Sequence, residues 1–443
     1  MDSAVRHLIT NYNPKGNRVG WLMLSSILVE AWDLYSIAFV LIFIRQQYNP
    51  DPLLLGLAAA GTQGGALIGA ILGGWLSDKI GRRVMFLSTM VMFIIFALIQ
   101  AVVPSVGWLV VVRIILGVPL GSDISNGYTY IMESMPKGVR EVMGNRWQFM
   151  FAVGEVLTLA VIAVFMVAQL PPHLIWRVTL GLGALPALII LLLRHDLPET
   201  AVWLIRHGRF REAKRVSQSM YDDPLDMLPD HDIVVPKPRP TAFLADIRKD
   251  PIRWRARSMA GSPVSARAAS SRPSPSTCRC CSCRWGSAPS LGTNLVTMGL
   301  YVIAAIAGWV GPQLTPKIGH RGIGIAGFGI VLVSLLAAAA ALYTGHPMVL
   351  PFVAATMLWG HYWDASNCMT IPTLVAKPEY RGTASGFAYM FVKLPSFFAI
   401  FLFPALFTAI GQASATLFVA IFPLAGLLAA IFILPEVYGY EQD

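Results

Sequence analysis

Residues 73–83 read Gly-Gly-Trp-Leu-Ser-Asp-Lys-Ile-Gly-Arg-Arg and stand between two long apolar runs. Their three cations and one aspartate cannot lie in hydrocarbon, so the stretch predicts a tight turn at a membrane surface. Because Lys and Arg are retained in short cytoplasmic loops, the positive excess places this turn in the cytoplasm. A weaker copy at 311–321 indicates an internal duplication.

The composition of the whole chain predicts an all-α membrane protein. Of its 443 residues 55% are hydrophobic and 13% are charged, and the mean hydropathy is +0.60. Soluble chains carry about 25% charged residues, and runs of about 20 apolar residues are typical of membrane helices. Eleven such runs lie near 19–44, 53–77, 84–104, 107–132, 147–169, 174–194, 291–314, 323–344, 349–371, 384–409 and 412–434.

The net charge of +10 comes mainly from alternate loops, and the loops between them hold little beyond Arg45 and Arg177. Lys and Arg concentrate in 1–18, 78–83, 137–146, 194–255, 317–321 and 377–381. This distribution is the positive-inside bias, which reports topology and does not indicate a nucleic-acid partner. We therefore expect a multi-pass protein of the inner membrane with both termini in the cytoplasm and the lipid bilayer as its surroundings.

One part of the chain conflicts with this topology. The loops 195–255 and 315–322 are both predicted to be cytoplasmic, so a further span must precede the helix at 291–314. The intervening residues 256–290 contain five Arg and no Leu, Ile or Phe, and one Arg at a helix centre costs about 2.5–3.5 kcal/mol. We interpret this segment as a corrupted seventh span caused by a compensated frame error; a Ser/Arg/Pro linker is the alternative, and such a product could be inactive. The cysteines at 278–283 lack the spaced pairs of a zinc site.

With that span restored, the spans number twelve. They divide into an N-terminal half (1–194) and a C-terminal half (256–443) around a cytoplasmic loop (195–255). Duplicated halves of this kind are typical of secondary transporters, in which they pack around a central path. We therefore predict a twelve-helix 6+6 fold with pseudo-two-fold halves.

Five motifs occur in the same order as in a known transporter superfamily. They are the loop at 73–83, Arg113–Gly121, Glu133–Arg140, Leu197–Arg209 and Pro435–Gly439. The chain resembles the major facilitator superfamily, and within it the branch of sugar porters and phosphate:proton symporters. The resemblance implies a cytoplasmic gate formed by Gly74, Asp78, Gly81, Arg82, Arg83, Glu133 and Arg140.

The chain departs from that family pattern in three places. Pro316 stands in the second-half loop where the first half has Asp78, and Val202 replaces an arginine of the sugar-porter stretch. The glutamine pattern of sugar porters is reduced to Gln148.

Acidic residues inside the predicted spans are candidates for proton coupling, because a charge in a membrane helix is expensive to keep. Glu30 and Asp33 share one helix face, and a structural hydrogen bond is the alternative role for Asp33. Asp123 resembles the family's helix-four acid beside the substrate. It lies ten residues from Arg113, about 15 Å along a helix, so the two cannot pair. We expect Arg113 to tune a proton relay or to serve as a structural cation, and Glu155 to provide a second proton site or a packing contact.

Four further polar residues are candidates for substrate binding. Lys393 lies too deep in its span to reach the surface easily and needs an anion, either an acidic side chain or a substrate. It resembles the helix-eleven lysine of phosphate symporters. Asn367, Gln148 and Tyr128 would complete a polar lining. The glycines at 61, 64, 65, 69 and 73 are at helical spacing and predict close helix packing without a binding role.

Taken together, the sequence predicts a monomeric secondary transporter that moves a small anionic or polar metabolite with protons. Phosphate and organic acids rank above sugars because of Lys393. The alternatives are a sugar or drug porter and a non-transporting receptor on the same scaffold. An enzyme is disfavoured because we find no nucleophile–base pair, metal cluster or phosphate-binding loop, and we expect no cofactor and no metal.

Overall fold

The computed structural model describes residues 1–223, 225, 228–235 and 291–440, and every regular element among them is helical. The first half holds α1 (Asp2–Thr10), α2 (Gly16–Tyr48), α3 (Pro52–Ile80), α4 (Arg82–Ala101), α5 (Val106–Ser134), α6 (Val139–Asn145), α7 (Trp147–Val167), α8 (Pro172–Gly181) and α9 (Ala184–Arg194). The predicted loop at 195–255 holds two short helices, α10 (Ala201–Arg206) and α11 (Phe210–Met220). The second half holds α12 (Leu291–Tyr343), α13 (Leu350–Asp364), α14 (Asn367–Leu374), α15 (Arg381–Ile410), α16 (Gln412–Val419) and α17 (Ile421–Phe432).

All eleven predicted apolar runs fall on helices, which confirms the all-α membrane fold. Among the described residues, eight helices are long and apolar enough to cross a membrane. One of these, α12, covers two predicted spans. Its backbone turns between them at Gly319 (φ 74°). Three other predicted spans are each split into shorter helices, α8 with α9, α13 with α14 and α16 with α17. The predicted corrupted span at 256–290 lies outside the described residues.

The predicted glycine face packs α3 directly against α5. A Cβ atom on Gly65 would lie 1.9 Å from the carbonyl oxygen of Ile114, and one on Gly69 would lie 2.0 Å from that of Val118. From the other side, a Cβ atom on Gly117 would lie 2.2 Å from the carbonyl oxygen of Thr62. The structure confirms that these glycines serve close helix packing.

We expect Gly69→Val to destabilise the protein, because its side chain would overlap the backbone of α5. Overpacking of this kind costs about 1–3 kcal/mol. The measurement is thermal unfolding of the purified protein in detergent. Gly299→Val is the matched control, since a Cβ atom there meets nothing within 4 Å. Equal Tm values for the two variants would contradict the packing role of this face.

Candidate substrate site and cytoplasmic gate

A cavity of about 60 Å³ lies between the two halves, deep in the predicted membrane region. It has room for a few water molecules. The first half contributes residues of α2, α3 and α7, and the second half contributes residues of α12, α13 and α15. The lining residues are Leu34, Tyr35, Gln63, Trp147, Gln148, Phe151, Glu155, Tyr301, Leu358, His361, Tyr362, Val392, Lys393 and Ser396.

The lining combines aromatic rings with amide groups that can take a ligand. Tyr35 packs edge-on against Phe151 and Tyr301, and the Tyr301 hydroxyl donates to the Tyr35 oxygen at 3.1 Å. The buried Gln63 Oε1 and Gln148 Nε2 atoms have no hydrogen-bond partner among the described residues. Leaving buried polar atoms unsatisfied is costly. An acceptor and a donor are therefore left for a solute with hydroxyl groups.

Next to the cavity, Asp33 and Arg113 form a fully buried, two-point ion pair. Arg113 donates from both terminal nitrogens to the Asp33 carboxylate, at 3.2 and 3.1 Å, and from Nε to the Ala58 carbonyl at 2.8 Å. Asp33 directly precedes Leu34 and Tyr35, which line the cavity. A change in the charge of Asp33 would thus act on the cavity wall.

Two other buried carboxylates join the halves across the cavity. Glu30 of α2 pairs with Lys393 of α15 and accepts a hydrogen bond from Tyr389 at 2.5 Å. Glu155 of α7 accepts a hydrogen bond from Tyr362 of α13. Glu30 and Asp33 share a helix but have separate partners. The anion that Lys393 requires is a side chain of the protein.

Asp123 does not lie at the cavity. Arg194 binds its carboxylate at 3.2 and 3.0 Å, and the Thr89 hydroxyl donates to it at 2.9 Å. Arg194 also donates to backbone carbonyls of α2, which ties the end of α9 to that helix. The predicted place of Asp123 beside the substrate is not the one that the structure gives it. Sequence reasoning missed Arg194, because it stands at the end of a span and looks like an ordinary flanking cation.

Two of the predicted binding residues also lie away from the cavity. The Tyr128 hydroxyl donates to the Gly144 carbonyl at 3.1 Å. Asn367 donates to the His320 carbonyl at 2.6 Å and accepts from Asn145 at 3.2 Å. These contacts join helices and loops outside the cavity. Gln148, Lys393 and Glu155 are the sequence candidates that the structure places at the cavity itself.

The loop at 73–83 is the centre of a buried charge network. The backbone turns at Gly81 (φ 106°), a conformation that favours glycine. Arg82 then reaches Asp78 at 2.8 Å and Glu133 at 2.9 Å. Glu199 accepts from the backbone nitrogens of Arg82 and Arg83 at 3.0 and 3.1 Å and so caps α4. Burial raises the pKa of Glu199, against the effect of these hydrogen bonds.

The second half repeats the turn and the carboxylate cap, but a histidine stands in place of the arginine. After the turn at Gly319, Glu436 accepts from the backbone nitrogens of His320 and Arg321 at 3.0 and 3.1 Å. His320 takes the place of Arg82, and its ring contacts Asn367 at 2.8 Å instead of a carboxylate. The internal duplication is therefore visible in the geometry, and the second copy has lost its ion pair.

Asp78 joins the two halves on the side that the sequence predicts to be cytoplasmic. Its carboxylate accepts from the backbone nitrogens of Gly382 and Thr383 at 3.0 and 2.7 Å, at the start of α15. A Cβ atom on Gly74 would lie 2.3 Å from the Gly382 carbonyl oxygen, so the helices touch through their backbones. Arg83 donates to the His195 carbonyl at 3.1 Å, and Arg140 lies 3.4 Å from the Tyr440 carbonyl. Gly74, Asp78 and Arg140 thus contact the second half directly, and Gly81, Arg82, Arg83 and Glu133 support them from behind this seam.

Comparison with solved structures identifies the fold. The chain superimposes on the major facilitator proton:xylose symporter XylE bound to 6-bromo-6-deoxy-D-glucose with a TM-score of 0.78, at 19% identity over 96% of this chain and 97% of that one. A partially occluded inward-open form of XylE from E. coli gives 0.72, at 18% identity over 96% and 99%. The described fold is therefore the one that these transporter structures have.

Part of the chain also matches a family model and curated relatives. Residues 22–232 match the model of the sugar (and other) transporter family. The inner membrane metabolite transport protein YgcS of Escherichia coli is 30% identical over 45% of this chain and 44% of its own length. The glucose transporter GlcP of Staphylococcus epidermidis is 30% identical over 44% and 43%. The matched sequence spans less than half of these relatives.

These comparisons do not support the predicted phosphate:proton symporter branch or a phosphate or organic-acid substrate. They fit the sugar-porter alternative better. A physical reason against an anionic solute lies at the cavity, because Glu30 balances the charge of Lys393 there.

Proposed function

We propose that the protein is a proton-coupled transporter of a neutral, hydroxyl-rich small solute of the monosaccharide class. The observation that carries this proposal is the cavity between the halves, whose aromatic and amide lining adjoins the Asp33–Arg113 pair. Apolar rings with a few placed polar groups are typical of small-molecule sites. The matched transporter family and the sugar transporters among the relatives support the same solute class.

In this proposal the charge balance of the cavity selects against anions. Lys393 is the cation that lines the cavity among the described residues, and its partner Glu30 is itself buried. An incoming anion would have to displace Glu30, leaving an uncompensated buried carboxylate at a cost of about 3–5 kcal/mol. A neutral solute binds without that cost.

Asp33 is proposed as the proton-coupling residue, with Glu30 and Glu155 as further candidates. Protonation of Asp33 would remove the charge that holds Arg113. The contact between α2 and α5 beside Tyr35 would then be released. The halves would then rock around the cavity, with the seam at Asp78 and Arg82 as the cytoplasmic gate. We place both termini in the cytoplasm, assign the two halves to 1–194 and 256–443, and propose that the monomer is the working unit.

Uptake into proteoliposomes that contain the purified protein tests the solute class. With an inward proton gradient, we expect labelled D-glucose or D-xylose to accumulate above equilibrium and labelled phosphate to stay at the level of protein-free vesicles. Uptake of phosphate but of neither sugar would contradict the proposal.

We expect Gln148→Ala to weaken solute binding and to leave the fold intact. Loss of one hydrogen bond to an uncharged group costs about 0.5–1.5 kcal/mol, so the half-saturating sugar concentration should rise about 3- to 10-fold. The measurement is the concentration dependence of uptake at constant membrane level. Gln47→Ala is a matched control, because Gln47 accepts from Trp176 away from the cavity. An unchanged half-saturating concentration for Gln148→Ala would remove Gln148 from the site.

A further inference from the structure

A second, larger cavity of about 410 Å³ lies at the cytoplasmic seam between the halves. Part of its wall comes from α1, from the start of α6 and from α10, and part comes from the segment that leads into α15. We propose that this cavity binds an anion bearing a phosphate monoester group. This inference does not depend on the solute that the central cavity carries.

The wall of this cavity is strongly basic. Six cations line it: Arg6, Lys137, Arg140, Arg206, Lys377 and Arg381. The two acids in the wall, Asp2 and Glu379, are both bound by Arg206, at 2.6 and 3.3 Å. Both acids among the described wall residues are therefore engaged by Arg206, while Arg140 and Arg381 also line this wall.

Arg381 is a buried cation in this wall with two nitrogen donors that lack an acceptor in the described part of the chain. Its side chain is 1% exposed, and its Nε and Nη1 atoms have no hydrogen-bond partner among the described residues. Its Nη2 atom has a long contact of 3.4 Å to the Ala376 carbonyl. Glu133 is the acid that acts most strongly on it, and Arg82 and Thr200 already bind that carboxylate. A buried guanidinium in this state is costly unless an anion supplies the acceptors.

Arg140 supplies a second guanidinium from the other half. It is 3% exposed, its Nε atom has no hydrogen-bond partner in the described ranges, and Glu141 lies 3.7 Å away. A guanidinium presents parallel N–H donors that match two oxygens of a phosphate. Arg140 and Arg381 line one cavity, so a single phosphate group could accept from both halves.

The duplication explains why an arginine at this seam lacks a balancing carboxylate within the described ranges. Asn126 and Asn367 occupy equivalent places, since each donates to the carbonyl of the residue after the turn glycine, at 2.7 and 2.6 Å. Seven residues after Asn126 stands Glu133, whereas seven residues after Asn367 stands Leu374. The second half has therefore lost the carboxylate that would balance an arginine at this seam.

An anion that bridges Arg140 and Arg381 would stabilise the state in which the cytoplasmic seam is closed. A ligand shifts a conformational equilibrium by its difference in affinity for the two states. Opening the seam would separate the two guanidinium groups and remove half of the ligand contacts. We therefore assign the site a regulatory role that holds the gate shut.

The test is thermal unfolding of the full-length protein in detergent with inorganic phosphate, against sodium chloride of equal ionic strength. We expect a saturable rise in Tm of a few degrees in phosphate alone. Arg381→Gln should abolish this rise, and Arg140→Lys should increase the half-saturating phosphate concentration about tenfold. Arg18→Gln, which removes an exposed cytoplasmic cation outside the cavity, should leave it unchanged.

A second arm distinguishes a soluble phosphate from a lipid headgroup. The protein is reconstituted in phosphatidylcholine nanodiscs with or without phosphatidic acid, and the phosphate titration is repeated. Loss of the phosphate effect with phosphatidic acid present identifies the headgroup as the occupant, and persistence of the effect identifies a soluble phosphate. No stabilisation by either probe, or an equal effect in wild type and both arginine variants, would overturn the proposal.

Discussion

Asp33→Asn is expected to abolish proton-driven accumulation of the solute, so that the internal concentration only reaches the external one. Asparagine is nearly isosteric and can still accept a hydrogen bond from Arg113, but it carries no exchangeable charge. The buried pair at 3.1 and 3.2 Å would be replaced by a neutral contact. Exchange of labelled for unlabelled solute without a gradient should persist, because the residue lies beside the cavity and does not line it.

The measurement is uptake into proteoliposomes with and without an inward proton gradient, together with counterflow. Asp51→Asn, at an exposed position before α3, is the control for a change of the same type. Thermal unfolding of both variants verifies that they are folded. If Asp33→Asn accumulates solute like the wild type, Asp33 is not the coupling residue, and Glu30 or Glu155 becomes the candidate.

Gly386→Trp is expected to prevent closure of the cytoplasmic seam. A Cβ atom on Gly386 would lie 2.0 Å from the carbonyl oxygen of Ala70, so α3 and α15 touch through their backbones here. An indole at this position requires the helices to separate, which removes the Asp78 contacts at the start of α15. We expect loss of accumulation and faster hydrogen exchange at the amides of Gly382 and Thr383, which donate to Asp78.

Gly329→Trp is the matched control, because a Cβ atom on Gly329 meets nothing within 4 Å. It should leave both uptake and amide exchange near wild-type values. If Gly386→Trp also left them unchanged, the contact between α3 and α15 would have no part in the gate.

The helices and the turn at 73–83 could be predicted from the sequence because both depend on local patterns, whereas the gating role of this turn stays a prediction. Apolar runs of membrane length define the spans, and a turn with Asp78, Gly81 and Arg82 occurs within a few residues. The capping roles of Glu199 and Glu436 were missed, although a signal existed. Each follows a proline and stands a few residues after the last span of its half, so the duplication of the turn could have directed attention to a duplicated partner.

The buried ion pairs could not be predicted, because they depend on packing between helices that are distant in sequence. Arg113 could be excluded as a partner of Asp123 from helix geometry alone, and the structure gives the two residues separate partners. Nothing local indicates that Arg113 reaches Asp33, 80 positions away, or that Arg194 reaches Asp123.

The same limit explains the predicted preference for an anionic solute. Lys393 was correctly expected to need an anion, but the sequence could not show that Glu30 meets this need from 363 positions away. A lysine that is balanced inside the protein favours a neutral solute.

The central claim is that one cavity carries a neutral sugar together with a proton. Its most direct test records sugar and proton movement simultaneously in proteoliposomes that enclose a pH-sensitive dye. With no initial gradient, addition of D-glucose or D-xylose outside should acidify the interior as the labelled sugar enters, and Asp33→Asn should abolish the acidification. Sugar entry without acidification in the wild-type protein, or acidification driven by phosphate and by neither sugar, would contradict the account.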